Sequence, residues 1–224
     1  MAYDERYQGV FEDIHSCTIG RVNYIKSGTV IYGDCKIGDG VRIGHNVIIE
    51  EGCKIGDNTF IGHNCVLRPG TDIAYDCVIG HDCVFEGHCT IGEGTLIHAQ
   101  SHITREAKVG KYVFIAPMFI GANDAKMVHR RRHKFPFIME SPVIEDGVRI
   151  GTAVRLNPGV TVGENAVIGT GSIVTRDIPP GVISYGVPSK IKGFVPPEEN
   201  IWFNEDGGVE FDEEGNLMLG KVYE

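Results

Sequence analysis

No run of about 18 apolar residues occurs anywhere in this chain, so a membrane-spanning helix is not expected. The opening MAYDERYQGV has no charged-then-apolar leader, and the cytoplasm is the expected compartment. Basic residues are in the minority, 21 Lys and Arg against 30 Asp and Glu. The resulting charge of −9 excludes a general attraction for nucleic acid or an anionic membrane. No C-x-x-C pair occurs, as a thiolate metal site would require. Seven cysteines, an odd number, also fit poorly with a complete disulfide set. At 224 residues the chain has room for one large domain, or one domain and a tail.

What is present is a repeat. Every sixth residue from Ile19 to Ile115 is large and apolar, with Leu67, Phe85 and Val109 the only departures from isoleucine. Neither a helix near period 3.6 nor a simple long strand produces a period of six. A fixed repeat of this kind marks a solenoid, whose turns bury their faces only by stacking on one another. The cysteines fall into its register: Cys17, Cys35, Cys53, Cys65, Cys77, Cys83 and Cys89 each stand two residues before a ladder position. Thr29, Val41, Thr59 and Ser101 occupy the same register, so cysteine reads there as a small buried residue. Glycine follows many ladder residues, as at Gly20, Gly38 and Gly62, where a tight corner wants unusual dihedrals or little bulk.

I-G-H-N at 43–46 and 61–64 and I-G-H-D at 79–82 recur every 18 residues, which makes three hexads one coil of triangular cross-section. Residues 1–13 form a lead-in whose apolar Val10–Phe11 is placed to cover the first open end. The ladder breaks at Gly121 and resumes from Ile144 to Val174, leaving 121–142 as an extruded loop with a basic cluster, His129 to Lys134. A long loop thrown out of a solenoid that then resumes is a functional candidate. The solenoid is expected to span 14–193, followed by an acidic tail, 194–224, with the makings of a small hairpin.

The second half carries V-I-E-D-G-V-R-I-G at 143–151, N-P-G-V-T-V-G at 157–163, I-G-T-G-S-I-V-T-R-D-I-P-P at 168–180 and Y-G-V-P-S-K at 185–190. In these motifs the chain resembles the hexapeptide-repeat acyltransferases. The resemblance implies an all-β, left-handed parallel β-helix, assembled as a homotrimer that holds acetyl-CoA or another acyl-CoA between adjacent subunits. It points further to the nucleotide-sugar N-acetyltransferases of surface-polysaccharide and lipopolysaccharide synthesis, because the loop opens with Asn123–Asp124 and arginines follow. Galactoside-type relatives place a catalytic His where this chain has Asp124. Amino-sugar relatives often carry a Glu one coil earlier, where Arg105–Glu106 stand, the family's Glu aligning with Arg105.

Moving an acyl group from a thioester to an amine needs an unprotonated amine near the carbonyl carbon and a donor for the oxyanion. Spacing of 18 puts His88, Glu106 and Asp124 on one corner of three successive coils, with Asn123 and Asp124 as candidate partners of the sugar amine. A solvated salt-bridge ladder is the plainer reading of His88 and Glu106. His98 and His102, in IHAQSH, offer an acid/base or a structural hydrogen bond. Arg130, Arg131 and Arg132 could grip a pyrophosphate, or merely keep the loop soluble. The resemblance assigns coenzyme A to Gly151, Thr152, Gly169, Thr170 and Gly171, and its phosphates to Lys190 and Lys192. The column His45, His63, His81 reads as stacked exposed imidazoles, and no metal is expected.

Three other readings share the fold: an O-acetyltransferase acting on a small sugar or other hydroxyl, a γ-type carbonic anhydrase, and a non-catalytic scaffold. The anhydrase wants H-x4-H and a further His, whereas His98 and His102 are separated by three residues. A scaffold has no need of the loop.

Overall fold

The computed structural model describes residues 10–11, 16–129, 132, 135–196, 210–211 and 217–218. Two-residue strands follow one another at hexad spacing and pair with the strands one coil away. Among the described residues they build three sheets of nine, eight and ten strands, parallel except for the closing strand of the third; these are here faces 1, 2 and 3, which begin at Val10–Phe11, Thr18–Ile19 and Tyr24–Ile25. The chain passes face 1, face 2, face 3 and back to face 1 in each coil. Ladder residues stack in register, as Ile25↔Ile43 and Ile43↔Ile61, and fill the prism with fully buried side chains. Each such side chain contributes about 1.5–3 kcal/mol, much of it offset by the entropy of ordering the backbone. The expected β-helix is the fold found, and among the described residues no helix is long and apolar enough to cross a membrane.

The corners answer the glycine question. Gly20, Gly38 and Gly62 do not hold positive φ; a Cβ on Gly20 would collide with the Gly38 carbonyl oxygen. Bulk, and not dihedral freedom, selects glycine there. The left-handed residue comes two positions later and is often not glycine: Asn46, Asn64 and Asp82 hold φ of 57°, 58° and 58°. Asn and Asp tolerate this region better than most residues. Next comes the small buried position, where the Thr29 hydroxyl donates to Gly44 O at 2.8 Å, and Cys65 Sγ donates in the same way to Gly80 O at 3.1 Å. Cysteine here is a buried donor shaped like threonine. Burial pushes the Cys77 thiol up to about 12 and the Cys89 thiol up to about 11.

Two expectations about the path are revised. Val10–Phe11 pairs with Val30–Ile31 as the first strand of face 1, so the solenoid starts inside the segment read as a lead-in. Gly121 does not leave the ladder: it pairs with Leu156, and buried Phe119 fills the core beside it. The break lies further on. Lys108 pairs with Val143, 35 residues away instead of the usual 18. The excursion is pinched at its neck, where Glu140 N donates to Asn123 O at 2.9 Å and Asp124 bridges Met139. Residues 124–140 therefore form the loop. In the tail, Glu210–Phe211 pairs antiparallel with Leu217–Met218, in keeping with the hairpin read there.

Candidate active site

Two corners carry the candidate chemistry, and face 1 lies between them. The corner from face 1 to face 2 bears Glu86, His88, Arg105, Glu106 and the loop neck. The corner from face 3 to face 1 bears His98 and, further along the prism, Gly151–Thr152 and Gly169–Gly171.

At the loop corner, Glu106 stacks above His88: Glu106 N donates to Gly87 O and His88 N to Pro69 O. Asp124 does not continue that column. Its carboxylate turns into its own loop, accepting Lys126 N at 3.0 Å and Val128 N at 2.8 Å. Ser141 reaches the place above Glu106 instead, its hydroxyl donating to Arg105 O at 2.5 Å. Periodic arithmetic could not see this, because the chain leaves the prism at Asp124 itself and the column resumes 35 residues after Glu106, at Ser141. Asn123 is half-buried where the loop leaves the prism, its carbonyl oxygen accepting Glu140 N to close the neck. Glu106 is exposed and lies 3.6 Å from the Arg105 guanidinium, a contact worth little in solvent. Arg132 is exposed within the loop, while Arg130 and Arg131 lie outside the described residues.

The two histidines of IHAQSH part company. His98 sits on the face 3 corner, its ring edge-on to Phe114 at 5.1 Å, and burial pushes its pKa down. His102 points outward from face 1, and its Nε2 lies 3.2 Å from Glu86 Oε1. Glu86 was not picked out from the sequence. The signal available was the register: His102 stacks on Val84, and Glu86 stands two residues beyond Val84, at the corner.

On the other corner, Gly151 and Gly169 spend their missing bulk on the protein itself. A Cβ on Gly151 would lie 2.6 Å from Thr170 N, and one on Gly169 would lie 2.7 Å from Tyr185 Cβ. Only Gly171 of the three opens outward, with φ +70° and nothing within 4 Å of its Cβ position. Lys190 and Lys192 are exposed on the closing strand Lys190–Phe194, which pairs antiparallel with Val182–Tyr185. Lys192 Nζ lies 5.5 Å from the centre of the Tyr185 ring.

The imidazole column stands lower on that corner. His63 Nδ1 accepts His45 N at 2.7 Å, and His81 Nδ1 accepts His63 N at 2.8 Å. Both rings therefore carry their proton on Nε2 and point no lone pair outward. Among the described residues, no group of three His, Cys, Asp or Glu side chains converges as a metal site. A depression of about 440 Å³ lies on face 2 and the corner beyond it, lined by Lys108, Val143, Asp146 and Glu164. It adjoins neither candidate corner. Its acids are already engaged, as where Asp146 Oδ1 accepts Lys111 N at 2.8 Å.

Comparison with known proteins agrees with this fold. The family "Bacterial transferase hexapeptide (six repeats)" matches residues 16–51, 36–69, 52–87 and 141–176. The galactoside O-acetyltransferase of Escherichia coli (strain K12) is 39% identical over 103 residues, 46% of this chain and 51% of that protein. A dTDP-3-amino-3,6-dideoxy-alpha-D-galactopyranose 3-N-acetyltransferase of Aneurinibacillus thermoaerophilus is 43% identical over 53 residues, 24% of this chain and 28% of that one. The chain thus spans about half, or less, of the length of these curated relatives. Among solved structures, the UDP-N-acetylglucosamine acyltransferase from Campylobacter jejuni superposes with a TM-score of 0.56 at 21% identity, covering 84% of this chain and 73% of that one. That likeness is one of fold. With repeated hexads, three parallel faces and these matches in agreement, the repeats of residues 16–87 and 141–176 are those of the bacterial transferase hexapeptide family.

Proposed function

We propose that this chain is an acetyl-CoA-dependent N-acetyltransferase acting on the amino group of a nucleotide-linked sugar, in the cytoplasmic synthesis of surface polysaccharide. The observation that carries the reading is the Asp124 carboxylate, held at the loop neck by two backbone N–H groups. A carboxylate fixed in this way still has lone pairs to accept an amine's N–H and orient its nitrogen toward the thioester. A hydroxyl acceptor makes a different demand, since its proton must be removed before it attacks well. The match to an amino-sugar 3-N-acetyltransferase supports the same choice. Coenzyme A would run along the Thr152, Thr170 and Gly171 corner, with Lys190 and Lys192 near its phosphates and Arg132 of the loop serving the sugar nucleotide.

Face 1 separates the glycine corner from the loop corner within one chain, so we infer a homotrimer in which neighbouring copies bring the two together. Face composition supports this. Outward residues on face 1 include Ile48 and Ile120 and on face 3 Phe60, Leu96 and Phe114, while face 2 shows Lys36, Lys54, Asp72 and Lys108. Two apolar faces and one charged face suit packing on two sides and water on the third.

The longer match to a galactoside O-acetyltransferase favours a second reading, transfer to a hydroxyl. Incubation with acetyl-CoA and a panel of dTDP- and UDP-amino sugars, reading free thiol, tests both. An alkali-stable amide product is expected. An ester that hydroxylamine cleaves would establish the second reading in place of the first.

A further inference from the structure

Glu86 and His102 form a pair that neither the repeat nor the loop explains. The carboxylate belongs to the coil beneath. From the face 1 corner it reaches up to His102 Nε2 at 3.2 Å, and its other oxygen faces Arg105 N at 3.4 Å. Both side chains are more than a third exposed, so this is no buried structural pair. Val84, below His102 on face 1, and Ile120, above it, are apolar and offer the imidazole no hydrogen bond. The nearby charged groups are Arg105 and Glu106 on its own coil, and Arg68 with Glu50 on the coils below Glu86. The coil directly above His102 is the one from which Asn123 and Asp124 leave the prism.

We propose that Glu86 is a positioning residue: it holds His102 in the Nε2–H tautomer and turns the bare Nδ1 toward the loop neck as the proton acceptor of the transfer. The inference rests on the proposed function. As the acceptor's nitrogen forms its bond to the acyl carbon, the N–H proton passes to His102 Nδ1. The carbon–sulfur bond then breaks, and the departing thiolate takes that proton from the imidazolium, so amide and free thiol form with the imidazole restored. A carboxylate on the far nitrogen favours the imidazolium while it lasts. Asp124 orients the amine in this scheme, and His98, set edge-on against Phe114 on the other corner, takes no proton.

Two readouts decide the matter. Side-chain 1H–15N spectra of the free protein, with His102 assigned through His102→Gln, should show the Nε2–H tautomer above neutral pH. In Glu86→Ala that signal should move toward a mixture of tautomers. With acetyl-CoA and an amino-sugar nucleotide that the wild type acetylates, His102→Gln should lose about 10²-fold or more in kcat/KM. Glu86→Ala should lose on the order of tenfold, partly restored in Glu86→Asp, with KM for acetyl-CoA unchanged. An Nδ1–H tautomer in the wild type, or full activity in both variants, would overturn the pair's role while leaving the proposed function in place. A wild type that acetylates no amino sugar would remove that function, whatever the spectra show. Urea midpoints close to wild type confirm that the variants fold, and Glu86→Gln replaces Glu86→Ala where the alanine variant does not.

Discussion

At the scale of single residues, the corners record where the repeat is under strain. Val22 is a β-branched residue, 59% exposed, held at φ 57° where equivalent corners use Gly40, Asn58 and Asp76. Left-handed φ costs a non-glycine residue about 1–2 kcal/mol, and asparagine less than most. Val22→Asn should therefore raise stability by about 0.5–1 kcal/mol, seen as a higher urea midpoint at unchanged slope. The imidazole column gives a pH prediction with a definite sign. Burial, followed by the charges of His81 and His45, lowers the His63 pKa below its ordinary value. A depressed folded pKa means stability is fully present above the unfolded value, about 6.5, and is lost as pH falls through the folded one. Urea midpoints measured from pH 8 to pH 5 should fall less in His63→Asn, whose amide oxygen can still accept His45 N. Equal slopes in the two proteins would mean that this ring does not contribute. The column and its exposed character were legible in the repeat itself. The tautomer was not, because it depends on which atom of each ring meets the backbone of the coil beside it.

At the scale of elements, the loop matters most, and it was only partly legible. Its existence followed from the interrupted period, yet its edges moved inward because Gly121 keeps its place in the ladder without a side chain to announce it. A hydrophobicity count treats glycine as a gap; the backbone pairing does not. The same shift explains why Asp124 leaves the column of His88 and Glu106. Asp124→Ala removes the acceptor for Lys126 N and Val128 N together with the proposed partner of the amine. It should lower kcat/KM by about tenfold or more and speed proteolysis within 124–140, while the urea midpoint of the solenoid stays near wild type. Faster cleavage with undiminished turnover would confine Asp124 to a structural part. Glu86 marks the other limit of the sequence: its partner His102 belongs to the next coil, and no local motif spans the two.

At the scale of the whole molecule, fold and coil size were written plainly, since a period of six and its multiple of 18 constrain every face at once. What one chain's pattern could not show is that the candidate residues divide between two corners across face 1. Their reunion in a trimer, three times 24.5 kDa, is the central claim. Mixed trimers test it most directly. Asp124→Ala damages only the loop corner and Thr170→Trp only the glycine corner, so each homotrimer should be nearly inactive. Co-refolding the two at equal amounts and assaying thiol release should recover about a quarter of wild-type activity, the share of interfaces at which an intact loop meets an intact corner under random association. No recovery from trimers shown to be mixed would contradict a site shared between copies.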